Sequence, residues 1–193
     1  LDGSRVTTKA DWACRRKEIS LLAQEFIFGR KPPPPDSLQA TFANNALDIT
    51  VTQGSQTVNF SVPVTRPNGD GPFPGILSLG GTTPDNVAVL NIRNASNQFA
   101  SAGGGRATTG AFYTLFPDYT STGSLMAWAW MASRIVDALV ATTGHGIDSS
   151  KLSALGCSRD GKEAATIALF DDRFAMVAAQ SPGSGTTSGW RVA

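Results

Sequence analysis

The stretch Leu152–Phe170, LSALGCSRDGKEAATIALF, is the part of the chain that decides its fold and chemistry. An apolar strand pattern precedes the central GCSRDGKE, and a helical pattern follows it. Two kinds of site have this layout. Gly156, four further residues, and then Gly161 and Lys162 nearly spell a phosphate-binding loop. A serine carried by a buried strand into a sharp turn before a helix is instead typical of a hydrolase nucleophile.

The phosphate-loop interpretation fails at one position. Such loops place Ser or Thr directly after the lysine because that hydroxyl coordinates magnesium. This chain has Glu163 there, and no later predicted strand ends in a metal-binding aspartate. The sequence therefore disfavours nucleotide binding.

The nucleophile interpretation fits Ser158 better. Gly156 allows a sharp turn two residues earlier, and the amides and dipole of the following helix favour an oxyanion at that turn. The usual hydrolase turn has its second glycine two residues after the serine, where this chain has Asp160 and reaches Gly161 one residue later. The plain alternative is that Ser158 caps the helix.

The surrounding patterns predict one α/β domain over residues 1–193 with a mostly parallel sheet. A capping-box pair, Thr8 and Asp11, precedes an amphipathic helix. Residues 38–67 alternate and contain turn signals, which predicts three antiparallel strands. The apolar runs PGILSLGG, VAVLNI, KLSALG and FAMVAA predict buried strands. Apolar stripes are expected on the first helix (Ile19, Leu22, Phe26) and on residues 122–141 (Leu125, Trp128, Ala132, Ile135, Leu139).

Composition excludes several classes of function. The net charge is +1 and only 16% of residues are charged, so nothing favours a nucleic acid or an acidic partner. The longest strongly apolar run, LMAWAWMA from Leu125, is far shorter than the ~20 residues of a membrane helix. Two cysteines, Cys14 and Cys157, are either buried thiols or halves of disulfides. Asn59 and Asn94 begin acceptor patterns for N-glycosylation, which favours secretion.

The motif GCSRDGK resembles the Gly-Cys-Ser-Arg-Asn-Gly-Lys signature of the glucuronoyl esterases, a carbohydrate esterase family. VTTKADWACR, AWAWMASRIVDAL and the closing GWR are similar to its fungal branch, so the likeness runs through essentially the whole chain. The resemblance implies an α/β-hydrolase, a three-layer sandwich with a mostly parallel sheet and N-terminal antiparallel hairpins. It also implies a secreted enzyme, without metal or other cofactor, that cleaves esters between glucuronic acid on xylan and lignin alcohols.

The same resemblance implies roles for three residues of the motif. Ser158 is the nucleophile, Arg159 stabilises the oxyanion, and Lys162 binds the sugar one helical turn further on. The alternatives are a surface arginine in a helix-initiating turn and a solvated helix lysine. In the family, the counterparts of Cys157 and Cys14 form disulfides with cysteines that this chain lacks.

Three positions depart from the family pattern. Asp160 replaces an asparagine, and its carboxylate should weaken stabilisation of the oxyanion unless it points away. Ser181, within QSPG, stands where the family has its catalytic glutamate, and it carries no charge. Gly189 replaces a cysteine before the Trp-Arg pair.

The single histidine, His145, is a poor candidate for the general base. The strand over Lys151–Gly156 separates it from Ser158 by about 20 Å, so it is predicted to be structural. The family's base lies downstream of Arg191. The chain is therefore expected to be the N-terminal part of an esterase, with a sheet that a C-terminal segment completes. The rival is a catalytically incompetent fragment or pseudoenzyme that binds uronic-acid-bearing glycans through Arg159 and Lys162.

Overall fold

The computed structural model describes residues 3–101, 109–183 and 186, in which seven strands form one sheet beside five α-helices. The strands are β1 (Ser37–Ala43), β2 (Ala46–Gln53), β3 (Gln56–Thr65), β4 (Phe73–Ser78), β5 (Ala88–Asn91), β6 (Ile147–Cys157) and β7 (Phe174–Gln180). The helices are α1 (Lys9–Ala23), α2 (Arg93–Phe99), α3 (Ala111–Leu115), α4 (Ser124–Ala141) and α5 (Arg159–Phe170), and a π-helical turn, Gln24–Phe28, extends α1.

The antiparallel half of the sheet forms as the alternating pattern predicts. β1, β2 and β3 are successive antiparallel neighbours. Asn44 and Asn45 both have positive φ, 52° and 56°, as a tight hairpin turn requires. On β3, every second residue from Val58 to Val64 is buried and the residues between them are exposed, because one face of the sheet packs on the core. The three predicted strands are confirmed.

The parallel half places four strand ends at one edge. The sheet order is β1-β2-β3-β5-β4-β6-β7, and the pairs β5/β4, β4/β6 and β6/β7 are parallel. The α/β class is confirmed, with a sheet that is mixed: the described residues form three antiparallel and three parallel pairings. The carboxyl ends of β4 to β7 share an edge, which is where α/β proteins build their sites.

The helices α2, α4 and α5 contact one another and the sheet, so they form one connected layer. Helix α4 is buried nearly all round rather than along a stripe, and Leu125 is only partly buried. The expected stripe was too narrow because α4 contacts α2 and α5 as well as the sheet. Helix α4 is long and apolar enough to cross a membrane, but 72% of it is buried inside the protein.

Helix α1 begins as predicted, and its apolar residues are partly exposed. Thr8 and Asp11 form the capping box. Ile19, Leu22 and Phe26 are 37%, 43% and 77% exposed. The wider π-helical turn breaks the α-helical spacing before Phe26. These side chains instead line an apolar groove of about 450 Å³ between this segment and α5.

Candidate active site

Ser158 lies at the strand–helix turn between β6 and α5, at the carboxyl edge of the sheet. Its φ of 59° and ψ of −123° are a strained conformation for a residue other than glycine. The residue is exposed, and its side chain makes no capping hydrogen bond, so the capping alternative is wrong. Its amide donates to the Gln180 carbonyl at 2.9 Å, and its carbonyl accepts from the Lys162 amide at 3.1 Å. The turn is thus fixed from both sides while the hydroxyl stays available.

Two glycines make this turn possible. A Cβ on Gly156 would lie 2.1 Å from the Asp160 carbonyl oxygen. A Cβ on Gly161 would lie 2.7 Å from the Gln180 carbonyl oxygen. The second glycine is needed at Gly161 because α5 approaches the end of β7 there and leaves no room for a Cβ. The shifted glycine is therefore a consequence of packing.

Arg159 and Asp160 form an ion cluster with a third residue that the motif does not contain. The Arg159 guanidinium lies 3.2 Å from Asp160 Oδ1, and Arg93 Nη2 lies 2.8 Å from Asp160 Oδ2. Arg93 also donates to the Leu79 carbonyl beyond β4. Two guanidinium groups and one carboxylate sum to a charge of +1. The Asp160 carboxylate is thus held by two cations beside the turn.

Arg93 lies outside any recognisable motif, but its position after a strand is a signal that the sequence contains. It is the second residue after the buried strand β5, whose end lies on the same edge as that of β6. A charged residue directly after a predicted parallel strand is a candidate for the site at that edge. Only the sheet order, in which β4 alone separates β5 from β6, brings Arg93 to Asp160.

Lys162 is partly buried in the first turns of α5. Within the described part of the chain, no ion pair involves its amine. A Cβ on Gly183 would lie 3.9 Å from its Cε, so the side chain extends toward the segment after β7. This placement suits a residue that contacts a ligand over the strand ends, and its role stays a prediction.

Ser181 occupies a position that suits a catalytic acid, but its side chain is a hydroxyl and not a carboxylate. It follows Gln180, which is the register partner of Cys157, so it leaves the sheet beside Ser158. Its φ is 41° and its side chain is exposed. A hydroxyl cannot hold an imidazolium by charge, so Ser181 does not replace the missing carboxylate.

His145 lies before β6, at the edge of the sheet opposite to Ser158. It is 7% exposed, and its Nε2 lies 3.0 Å from the Leu139 carbonyl and 2.9 Å from that of Thr142. Nδ1 accepts from the Ile147 amide at 3.0 Å. Both ring nitrogens therefore serve the connection from α4 to β6, and the structural role predicted for His145 is confirmed.

A buried acid lies below the cluster. Glu163 is 1% exposed and its Oε1 lies 2.5 Å from Ser96 Oγ on α2. Burial raises the pKa of this carboxyl from 4.5 to about 8. The sequence excludes a phosphate loop through Glu163 but does not predict its burial, because a lone glutamate in a helical pattern gives no sign of burial.

The two cysteines, the possible metal ligands and the GWR motif were also subjects of prediction. Cys14 and Cys157 are both exposed free thiols, so the buried-thiol alternative is wrong. No group of three or more residues that could hold a metal ion occurs in the part of the chain that the structure describes. Gly189 and Arg191, and with them the GWR motif, lie outside the described residues.

This chain is similar, in sequence and in structure, to known glucuronoyl esterases. The sequence model described as "Glucuronyl esterase, fungi" matches residues 49–193. The 4-O-methyl-glucuronoyl methylesterase of Thermothelomyces thermophilus is 40% identical over 196 residues, which cover 98% of this chain and 49% of that protein. The crystal structure of the glucuronoyl esterase from Sporotrichum thermophile superposes with a TM-score of 0.91 at 39% identity, covering 98% of this chain and 53% of that one.

A second structure of that enzyme contains a ligand. It is a mutant in complex with methyl 4-O-methyl-β-D-glucopyranuronate, with a TM-score of 0.90 at 38% identity. The chain spans about half the length of the relatives that it matches. The expected α/β-hydrolase fold is confirmed by these superpositions.

Proposed function

This chain belongs to the fungal glucuronoyl esterase family, and on that premise we propose that the whole protein is a serine-type carbohydrate esterase. Its substrates are esters between 4-O-methyl-glucuronic acid on xylan and lignin alcohols. The observation that carries the proposal is the strained, exposed Ser158 with no capping hydrogen bond, at the carboxyl end of β6. The methyl glucuronate ligand of the mutant relative supports the substrate class.

The chemistry of the turn fits attack on an ester. Ser158 Oγ loses its proton to the base and adds to the carboxyl carbon, and the carbonyl π electrons move to the carbonyl oxygen. When the tetrahedral intermediate collapses, the C–O bond to the alcohol breaks and the base returns the proton to the leaving alcohol. A water molecule then hydrolyses the acyl-enzyme, which releases the uronic acid and restores Ser158. Arg159 binds Asp160 through Nε and one Nη2 hydrogen, which leaves its Nη1 hydrogens for the oxyanion. The net charge of +1 on the Arg93–Asp160–Arg159 cluster favours the developing negative charge. Lys162 contacts the sugar hydroxyls.

The base and its orienting acid come from the part of the protein beyond residue 193. His145 is occupied by backbone contacts at the opposite edge, and Ser181 has no charge. A serine hydroxyl needs a base within hydrogen-bond reach to react near neutral pH. The family relatives, about twice as long as this chain, have room for both groups.

The test uses the full-length protein and a methyl or benzyl glucuronate ester. Ser158→Ala should remove hydrolysis and leave the melting temperature unchanged. Ser181→Ala is the matched control, because Ser181 is also an exposed serine with positive φ at the neighbouring strand end. Equal turnover by the wild type and Ser158→Ala would refute the proposal. A wild type that binds the ester without cleaving it would establish the rival, a glycan-binding pseudoenzyme.

Secretion is part of the proposal. Asn59 on β3 and Asn94 on α2 are both exposed, so each offers its amide to an attached glycan. Expression in a secreting eukaryotic host should add sugar at one of them, visible as a mass shift that a glycosidase reverses. Asn59→Gln and Asn94→Gln together should abolish the shift. Protein that stays inside the cell without sugar would contradict it.

A further inference from the structure

Glu163 joins the two helices that carry the charged residues of the site. Its Oε1 lies 2.5 Å from Ser96 Oγ, which belongs to α2. Helix α2 follows β5 and begins at Arg93, whereas α5 follows β6 and begins at Arg159. Both side chains of the contact are buried, with exposures of 1% and 3%. The contact therefore lies beneath the cluster on which the proposed reaction depends.

Burial without an ion pair favours a proton on Glu163. Ser96 Oγ donates to Glu163 Oε1 at 2.5 Å, and the nearby Ile92 carbonyl already accepts from the Ser96 amide at 2.9 Å. Among the described residues, Glu163 forms no ion pair with a lysine or an arginine. Because an unpaired carboxylate is costly to bury, the carboxyl group keeps its proton, and its carbonyl oxygen accepts from Ser96.

Charged groups on the neighbouring elements are few and their positions are known. On its own helix, Asp160 and Arg159 act on Glu163 and Lys162 is the adjacent residue, whereas Arg93 acts from α2. On α4, Arg134 and Asp137 pair with each other. The charged residues of β6, Asp148 and Lys151, pair at the start of that strand, and the sequence of β7 has none. The cluster at the turn is therefore what the ionisation of Glu163 would change.

We propose that Glu163 is a positioning residue that stays neutral, ties α5 to α2 through Ser96, and leaves the Arg93–Asp160–Arg159 cluster with its charge of +1. An ionised Glu163 would bring the sum of this cluster and Glu163 to zero. It would also set a second carboxylate on the same turn as Asp160, four residues from Arg159. The consequence for catalysis rests on the proposed function, because it acts through stabilisation of the oxyanion.

The direction of the pH effect follows from the raised pKa. The unfolded chain releases this proton near pH 4.5, and the folded protein holds it until about pH 8. The stabilisation is complete below pH 4.5 and is lost as the pH rises through about 8. Glu163→Gln cannot ionise, and its amide oxygen still accepts from Ser96 Oγ. The variant should therefore lack this loss of stability.

The experiment compares the full-length wild type with Glu163→Gln between about pH 6 and pH 9, a range that spans the titration. Glu18→Gln is the control, since Glu18 is an exposed α1 residue paired only at the surface with Arg15. The melting temperature of the wild type should fall relative to that of Glu163→Gln as the pH rises, and Glu18→Gln should follow the wild type. Parallel curves for the wild type and Glu163→Gln would overturn the proposal.

Kinetics test the positioning role separately. From pH 6 to pH 9, kcat of the wild type should fall by a factor about tenfold larger than the factor for Glu163→Gln. The two proteins should differ less in KM, because the charge that Glu163 gains acts mainly on the transition state. Identical kcat ratios would overturn the positioning role. A wild type without hydrolysis at any pH would overturn the proposed function and this role together, whereas the melting curves would still decide whether Glu163 is neutral.

Discussion

Arg93 Nη2 lies 2.8 Å from Asp160 Oδ2, although the two residues are 67 positions apart and follow different strands. The contact crosses the end of β4, where Arg93 also binds the Leu79 carbonyl. Asp160 replaces the asparagine of the family motif and would by itself place a negative charge beside the proposed oxyanion. Arg93 offsets that charge, so the departure at Asp160 is compatible with the esterase chemistry.

Arg93→Gln in the full-length protein should lower kcat about tenfold, because it reduces the charge of the cluster from +1 to zero. Arg93 is 46% exposed, so the melting temperature should change little. Adding Asp160→Asn should restore most of the lost kcat, because the cluster returns to +1. Ester hydrolysis by the two variants measures this. Equal kcat for the wild type and Arg93→Gln would show that the charge does not reach the reacting atoms.

Gly161→Ala should destabilise the protein by about 2 kcal/mol, although alanine normally favours a helix over glycine by about 1 kcal/mol. The added Cβ would lie 2.7 Å from the Gln180 carbonyl oxygen. Gly123→Ala is the control, since its Cβ would meet the Phe28 carbonyl at an ordinary 3.6 Å. Urea unfolding of both variants measures the difference. A more stable Gly161→Ala would mean that β7 does not approach α5 this closely.

His145→Ala should lower the free energy of unfolding by about 2 kcal/mol while kcat stays at the wild-type value. The buried backbone groups of Leu139 and Ile147 and the part-buried carbonyl of Thr142 lose their partner. The measurements are chemical unfolding and ester hydrolysis by the full-length protein. A large loss of kcat in a folded variant would contradict the placement of His145 at the far edge of the sheet.

Residues 1–193 alone should show no useful esterase activity and should associate. Their one histidine, His145, lies at the edge of the sheet opposite to Ser158. Strand β7 has one described strand partner, β6, and exposes Met176 and Val177. Size-exclusion chromatography and hydrolysis of a benzyl glucuronate ester measure both properties. Replacing Met176 and Val177 by lysine should reduce association. A monomer that turns over ester at the rate of the full-length protein would refute this.

The exposed apolar residues of α1 and β7 also predict where the rest of the protein packs. Leu22 and Phe26 line the groove against α5, and Met176 and Val177 lie on the edge strand. Proteolysis of the full-length protein should leave these residues protected. Isolated residues 1–193 should be cut first within 19–28, where the π-helical turn lies.

Local patterns were enough for much of the fold. The capping box at Thr8, the hairpin turn at Asn44 and the strand-turn-helix around Ser158 depend on neighbours in sequence, so their residues carry the signal. His145 was assigned correctly because the length of a strand fixes the distance between its ends. The apolar residues of α1 stay partly exposed among the described residues, because periodicity shows which residues are apolar and not whether another segment covers them.

The sequence by itself determined the family, the nucleophile turn and the absence of a usable histidine near it, since each depends on residue identity or on spacing within a few turns of chain. Only the tertiary structure decided which charges surround Ser158. Sheet order places Arg93 beside Asp160 and Ser96 beside Glu163 across 67 residues in both cases. Burial, which no local pattern reveals, then raises the pKa of Glu163 to about 8, because removing a carboxylate from water costs free energy.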